Sequence, residues 1–403
     1  MTLRIDRISF RDFRSYERLE LSELGALTVL HGPNAAGKTN IVEGIQLLTA
    51  QGSFRHPTVS QLVRMGAPAA HIEAHATDGS RDLTLALALA EGKKRFELNG
   101  KPKKAVDLKG VVPSVTFTPD DLTLAKGPHA GRRAALDTLG SQLSRNHYLI
   151  RRDYEKVLRH KNALLKDEAP AALLQSVNDM VITCGAQLVC YRAALFERVA
   201  AAMRRHYAQI AEGEQLGAVY EPSWAVSRET CRLQGSGVSR ETPSVGAPAA
   251  AGVAAVPVAD AATPAPAALT RDAARKALAA ALEERFAEER ARRRALVGPH
   301  ADHVTFTIDG RDAGLFASQG QQRSIVLAFK LAEAAVVEDV IGQKPVLLLD
   351  DVMSELDAHR RRALVSFILR DIQTFITTAN LDYFDRDLLA AARVVRLPLE
   401  TAL

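Results

Sequence analysis

Eight consecutive residues near the start of the chain, Gly32-Pro33-Asn34-Ala35-Ala36-Gly37-Lys38-Thr39, carry the most specific chemistry in the sequence. Their spacing, G-x-x-x-x-G-K-[ST], is that of a phosphate-binding loop. Glycine permits close approach and positive φ, so backbone N–H groups can wrap the α- and β-phosphates. A helix starting near Lys38 aims the positive end of its dipole at the same anion. Lys38 is then placed to neutralise the β- and γ-phosphates, and Thr39 to offer a hydroxyl to Mg2+. ATP and Mg2+ are the cofactors implied.

A second group lies near the other end: Lys344-Pro345-Val346-Leu347-Leu348-Leu349-Asp350-Asp351. Four apolar residues without alternation predict a strand buried on both faces of a parallel sheet. Ligands of such sheets bind at the carboxyl ends of the strands. Asp350 at that end suits the metal, through water. Asp351 can accept a hydrogen bond from an attacking water and orient it, which makes Asp351 and Lys38 the candidate catalytic residues. Ser318-Gln319-Gly320-Gln321-Gln322-Arg323-Ser324 opens a third element. Ser318 as N-cap and Gln321 three residues on form a capping box. The N–H groups of that helix start are a second anion site. Ser354-Glu355-Leu356-Asp357 follows the carboxylates.

These groups need particular elements to hold them. Leu27–Leu30 reads as the strand before the loop and Asn40–Ala50 as the helix after it. Some 310 residues separate the two motifs, so the halves of one nucleotide site come from the two chain ends. The middle is therefore an insertion. Segments 70–76, 82–90 and 94–98 read as strands, and Asn99-Gly100 is a hairpin turn signal. From about 139 to 210 the pattern is helical. Leu174, Val177, Val181, Cys184, Leu188, Tyr191 and Leu195 alternate spacings of three and four, the rhythm of a coiled-coil seam, and 141–167 can pair with it. A helix of about 40 residues is only ~60 Å long, so the arm is short. Residues 235–268, rich in Ala, Pro and Gly, read as a flexible insertion. Helix resumes at 270–296, where Glu288 with Arg292 and Glu289 with Arg293 are spaced as ion pairs. Arg292-Arg293-Arg294 reads as a solvated face. The expected division is an N-terminal head half at 1–118, a helical arm at 119–296 and a C-terminal head half at 297–403. The class is α/β, a mixed sheet plus helices split by an inserted helical arm domain.

Composition excludes several classes. With 403 residues, 47% hydrophobic and 25% charged, the chain is neither disordered throughout nor collagen-like. No run reaches the roughly 18 apolar residues of a membrane span, and no secretion signal is visible at the start. Three cysteines, Cys184, Cys190 and Cys231, argue against a disulfide framework and for reduced thiols in a cytoplasm. A net charge of +5 is compatible with nucleic acid without identifying it.

The phosphate loop, S-x-G-Q-Q, the acidic strand and S-x-L-D, in this order, resemble the P-loop ATPase heads of the ABC type. There the S-x-G-Q helix of one subunit caps the nucleotide of the other, which implies an ATP-dependent homodimer with Ser318, Gly320, Gln321, Gln322 and Asp357 at the nucleotide. Within that class the opening ISFRDFRSY at 8–16 resembles the SMC and RecF heads, where an arginine matching Arg14 lies by the nucleotide. Pro119-Asp120-Asp121-Leu122, Gly127-Pro128, Arg132-Arg133 through Asp137, Gly298-Pro299-His300-Ala301-Asp302 and VLLLDDVMSELDAHRRRAL at 346–364 are similar to the RecF family, including Asp rather than Glu at 351. The resemblance implies a weak, DNA-stimulated ATPase used as a switch in recombinational gap repair, replication restart and the SOS response. It implies RecR and RecO family partners, DNA that is gapped, duplex or single-stranded, and no membrane.

The sequence also departs from the pattern. Thr118 stands near where many such heads carry a glutamine linking head to arm. Thr377-Thr378 occupy the place of a histidine, and His303 that of an acidic residue. His300, Asp302 and His303 lack complete metal-ligand spacing and read as a hydrogen-bonded head–arm junction. Arg55, Lys101, Lys103, Lys104, Lys109, Arg132 and Arg133 are the candidate phosphate contacts for DNA. A transporter ATPase subunit and an SMC-like DNA tether are the alternatives. A short arm weighs against both.

Overall fold

The computed structural model describes residues 2–225 and 269–398. The insertion expected at 235–268 and Cys231 lie outside the described residues.

A five-stranded parallel sheet holds the middle of the head, in the order Arg393–Arg396, Leu27–His31, Thr374–Thr378, Val346–Asp350, Ser114–Phe117. Every residue of Val346–Asp350 is buried, because both faces of the sheet are covered. Leu347 and Leu349 point into one core with Ile325, Phe329 and Val336 of the helix Gln319–Ile341. Val346 and Leu348 point into a second core with Ile41, Ile45 and Leu48 of the helix Lys38–Thr49. The unbroken apolar run is thus read correctly as a strand between two layers.

The second core is closed by a six-stranded antiparallel sheet, Tyr16–Leu21, Arg4–Phe13, Ala69–Thr77, Asp82–Ala90, Lys93–Leu98 and Lys101–Lys103. Its strands alternate buried and open positions, as in Ala69–Thr77, so one face packs and the other meets solvent. Asn99 and Gly100 both take positive φ, 51° and 70°, the geometry a two-residue hairpin turn requires. Leu216–Glu221, which the sequence placed in the arm segment, pairs antiparallel with His303–Ile308 of the C-terminal half.

The arm is a helical hairpin. Arg145–Lys166 packs on the 40-residue Ala171–Ile210. Leu174, Val177, Val181, Leu188 and Leu195 of the seam are buried, and Cys184 and Tyr191 are half-buried. The long helix is apolar and long enough to cross a bilayer. Its apolar side is instead covered by Arg145–Lys166, Arg271–Glu284 and Gln319–Ile341. The helix expected at 270–296 is broken at Arg285 into Arg271–Glu284 and Phe286–Arg292. Glu288 pairs with Arg292 at 2.9 Å. The expected Glu289–Arg293 pair does not form: Arg293 reaches Glu168, while Glu289 turns inward to Lys161 at 2.6 Å and accepts from the Leu296 N–H at 2.7 Å. Both partners of that ion pair are almost wholly buried, a place where a charge needs its counter-charge.

Besides the apolar packing of Ala171–Ile210 on Gln319–Ile341, arm and head are joined by polar contacts. Arg192 of the long helix donates a fork to Asp137 at 2.8 and 2.7 Å and reaches Asp302 at 3.3 Å. Asp302, fully buried, also accepts from the Ser223 N–H at 2.9 Å and from the Tyr220 hydroxyl. Burial pushes its carboxyl up and the Arg192 charge opposes this. His300 bonds the Tyr154 hydroxyl at 2.6 Å and is pushed down to about 4 by burial. His303 stacks on His129, rings 4.1 Å apart. The residues 300–303 are therefore a hydrogen-bonded junction.

Glu289→Ala should destabilise the protein by about 3–5 kcal/mol, because it strands the Lys161 ammonium. Glu289→Leu combined with Lys161→Met should recover most of that loss. Denaturant midpoints of the three proteins measure the difference.

Candidate nucleotide site

The loop 32–39 joins the strand Leu27–His31 to the helix Lys38–Thr49. Close packing dictates its glycines. A Cβ on Gly32 would lie 2.2 Å from the Leu397 carbonyl oxygen. Gly37 has φ of 91°, and a Cβ there would lie 2.4 Å from the Tyr16 hydroxyl. Burial pushes that tyrosine up to about 12. Lys38 is nearly buried and donates to the Gly32 and Pro33 carbonyls at 2.7 and 2.8 Å. The cleft is lined by Ser15, residues 34–40, Arg55, Asp351 and Thr377.

Thr39 donates its hydroxyl to Asp350 Oδ1 at 2.8 Å, across 311 residues of sequence. Thr377 donates to the same oxygen at 2.8 Å and accepts from the Asp351 N–H at 2.9 Å. Thr377 lies on the strand between those that carry the loop and the carboxylates, so a small hydroxyl side chain occupies the place where a histidine was expected. Asp351 takes φ of 52° at the turn after its strand. Its carboxyl is raised by burial and then by the neighbouring Asp350, and Lys38 opposes the shift.

Arg14 does not line this cleft. It donates to Glu43 at 2.9 and 2.8 Å and to the Gln61 carbonyl at 2.9 Å. Glu43 is fully buried on the loop's own helix and also accepts from Ser53 at 2.6 Å. Arg55 donates to Asn40 at 3.2 Å and stands 3.7 Å from Glu43, at the rim of the cleft. Sequence reasoning missed Glu43, although a carboxylate between Ile41, Val42 and Ile45 on a packed helix was a visible signal. Thr377 as a holder of Asp350 depends on strand order and left no such mark.

Ser318 caps the helix Gln319–Ile341. Its N–H donates to Gln321 Oε1 at 2.8 Å and its hydroxyl accepts from the Gln321 N–H at 3.2 Å. Gln321 also donates to Glu214 at 2.9 Å, and Gln322 donates to the Ala317 carbonyl at 2.8 Å. Arg360 ties Asp357 to this helix: its N–H donates to Asp357 at 2.9 Å and its guanidinium to Ser324 at 2.8 Å. A Cβ on Gly320 would meet that guanidinium at 3.2 Å. None of Ser318, Gly320, Gln321, Gln322 and Asp357 lines the Lys38 cleft of its own chain. Thr118 is also away from it, its N–H donating to Asp121 at 2.7 Å.

The family model for the RecF/RecN/SMC N-terminal domain matches residues 4–395. A DNA replication and repair protein RecF from Symbiobacterium thermophilum is 36% identical over 375 residues, 92% of this chain and 90% of that one. This chain belongs to the RecF family. A second RecF, from Heliobacterium modesticaldum, is 32% identical over 98% of this chain and 97% of its own. A solved structure described as the recombination mediator protein RecF-ATPrS in the RecFOR pathway superposes with a TM-score of 0.80 at 25% identity, covering 95% of this chain and 94% of that one. An Smc head domain from Pyrococcus furiosus, 13% identical with a TM-score of 0.50 and coverages of 98% and 93%, shares the fold alone. The ABC-type head split by a helical arm is thus the fold of the RecF family.

Two of the arginines expected to contact DNA do something else. Arg132 is buried and donates to the carbonyls of Leu124, Ala125 and Val304 at 2.6, 2.7 and 2.7 Å. Arg133 donates to the Asp302 carbonyl. Burial lowers both. They brace the head–arm junction through these backbone carbonyls. Lys101, Lys103 and Lys104 are exposed.

Gly37→Ala should weaken triphosphate binding about tenfold, because the alanine must leave the left-handed region and displace Tyr16. Titration with a fluorescent nucleotide analogue reads this, and circular dichroism should show the fold retained.

Proposed function

We propose that the chain is an ATP-dependent DNA-binding protein of recombinational gap repair, whose nucleotide site is completed by a second copy of the chain. The observation that carries this reading is the Thr39–Asp350 hydrogen bond, which brings the phosphate loop and the acidic strand into one cleft. The Lys38 ammonium would leave its two loop carbonyls for the β- and γ-phosphates, and the loop N–H groups would hold the α- and β-phosphates. The Thr39 hydroxyl and the Asp350 carboxylate, oxygen donors 2.8 Å apart, fit a hard cation such as Mg2+, which keeps most of its waters. Mg2+ there would spread charge over the β- and γ-phosphate oxygens. Thr377 fixes the carboxylate that faces it.

Asp351 orients the attacking water. Its raised carboxyl is a better proton acceptor than an ordinary aspartate. The Ser318 helix of a partner would place its free N–H groups against the γ-phosphate, consistent with its absence from its own chain's cleft. ATP would then close the dimer and slow hydrolysis would open it, with DNA as the stimulus. The described pathway of the superposed RecF supports RecR and RecO family proteins as partners. Cytoplasmic location follows from work on chromosomal DNA.

Lys38→Ala should abolish ATP-dependent dimerisation on sizing chromatography; a dimer of unchanged strength would sink the mechanism. Asp351→Asn should keep ATP binding and slow turnover by about 100-fold or more. In the unsubstituted protein turnover should fall as pH falls, because protonation removes the base. Since burial and Asp350 raise the carboxyl, that acid limb should lie above the ordinary aspartate value of about 3.9. A pH–rate profile checks it, and a limb unchanged in Asp351→Asn would assign the base elsewhere.

A further inference from the structure

The helix Arg145–Lys166 has two faces that keep one period. His147, Tyr154 and Lys161 are buried against the arm. Arg145, Arg152, Arg159 and Lys166, also seven residues apart, are exposed, with Lys156 among them. Seven residues of helix are about 10 Å, so the five cations form a stripe about 31 Å long. The helix carries seven lysines and arginines against two carboxylates, a surplus of five.

A neighbouring segment has the same excess. Residues 93–109 hold seven lysines and arginines against Glu97 and Asp107. Together the two segments exceed neutrality by ten, twice the +5 of the whole chain, so the rest of the molecule is net negative. The segments are joined. Arg145 donates to Asp107 at 3.0 Å, and the Lys109 ammonium lies 4.9 Å over the Tyr148 ring. Lysine and proline on the edge strand Lys101–Lys103 also deter unwanted strand pairing. That explanation does not reach the helix. Lys156, Arg159 and Lys166 make no ion pair among the described residues.

We infer that the exposed stripe of Arg145–Lys166, continued by the Lys101–Lys104 hairpin end, is a track for the phosphate backbone of duplex DNA. This rests on the DNA-binding function proposed above and says where on the chain the contact is made. The stripe nearly matches one duplex turn of about 34 Å, and point cations at regular spacing neutralise phosphates without reading bases. The exposed stripe carries no phenylalanine, tyrosine or tryptophan, its neighbour Tyr148 is engaged by Lys109, and the single imidazole of His160 beside it does not make the row of rings on which single strands stack.

The test is duplex binding by the full chain, with ATP, over a series of salt concentrations. Lys156→Glu with Arg159→Glu should weaken binding at least tenfold, equally for unrelated sequences. Each phosphate that is no longer neutralised should flatten the log–log salt slope by about 0.9. Lys103→Glu with Lys104→Glu should do the same, while Arg198→Glu, on the long arm helix beside Asp339, should not. ATP turnover without DNA should be unchanged in all of them. If reversal disturbs the helix, Lys156→Gln with Arg159→Gln gives the same readout at smaller amplitude. Unsubstituted protein that fails to bind duplex in any salt overturns the proposed function. Duplex binding that is normal in both pairs of variants overturns only the track. Normal duplex binding together with abolished polyglutamate binding also overturns it, and assigns the stripe to an acidic protein segment.

Discussion

The Thr39 hydroxyl reaches over the strand Thr374–Thr378 to donate to Asp350. For these two residues to meet, the strand after which the loop begins and the strand that ends in the carboxylates must sit two places apart in one parallel sheet, with both carboxyl ends on the same edge. The intervening strand presents Thr377 there, with two hydrogen bonds of its own. The rest of the molecule follows from that demand. The 310-residue detour has to leave the sheet and return, so the arm starts and ends at the head. Its return is secured by the buried contacts of Arg192, Asp137 and Asp302.

Those junction contacts are charged where apolar packing would serve stability as well. Fully buried ions are costly unless every partner is present. Here Asp302 is bonded by a backbone N–H, a tyrosine and an arginine, and the Arg132 and Arg133 guanidiniums are taken up by backbone carbonyls. The arrangement fixes the direction in which the arm leaves the head. The basic stripe on Arg145–Lys166 starts beside the segment 105–109 that follows the Lys101–Lys103 strand, where Arg145 meets Asp107 and Lys109 meets Tyr148.

Much of this was legible in the chain. The phosphate loop, the unalternating VLLLD strand, the Asn-Gly turn and the spacing of Leu174 to Leu195 are local patterns, and periodicity carries them. Other features depend on what the chain meets elsewhere. Leu216–Glu221 became a strand because His303–Ile308 offered it an edge. Glu289 gave up a helical partner for Lys161 because that lysine is buried. Arg132 and Arg133 looked like surface charge because composition does not distinguish a guanidinium facing water from one facing three carbonyls. The same limit hid the cationic stripe, whose phase relative to the buried His147–Tyr154–Lys161 face emerges only when the helix is packed.

The central proposal is a nucleotide site shared between two copies, with Lys38 from one and Ser318 from the other. The most direct measurement mixes two variants that are each inactive alone. Lys38→Ala removes the phosphate charge partner, and Ser318→Arg places bulk and charge at the capping helix. In a mixed pair one composite site keeps both an intact loop and an intact capping helix. ATP turnover should therefore reappear on mixing, to a fraction of the unsubstituted rate. Ser318→Arg protein that turns over ATP normally by itself, or a mixture as inactive as its components, would contradict the shared site.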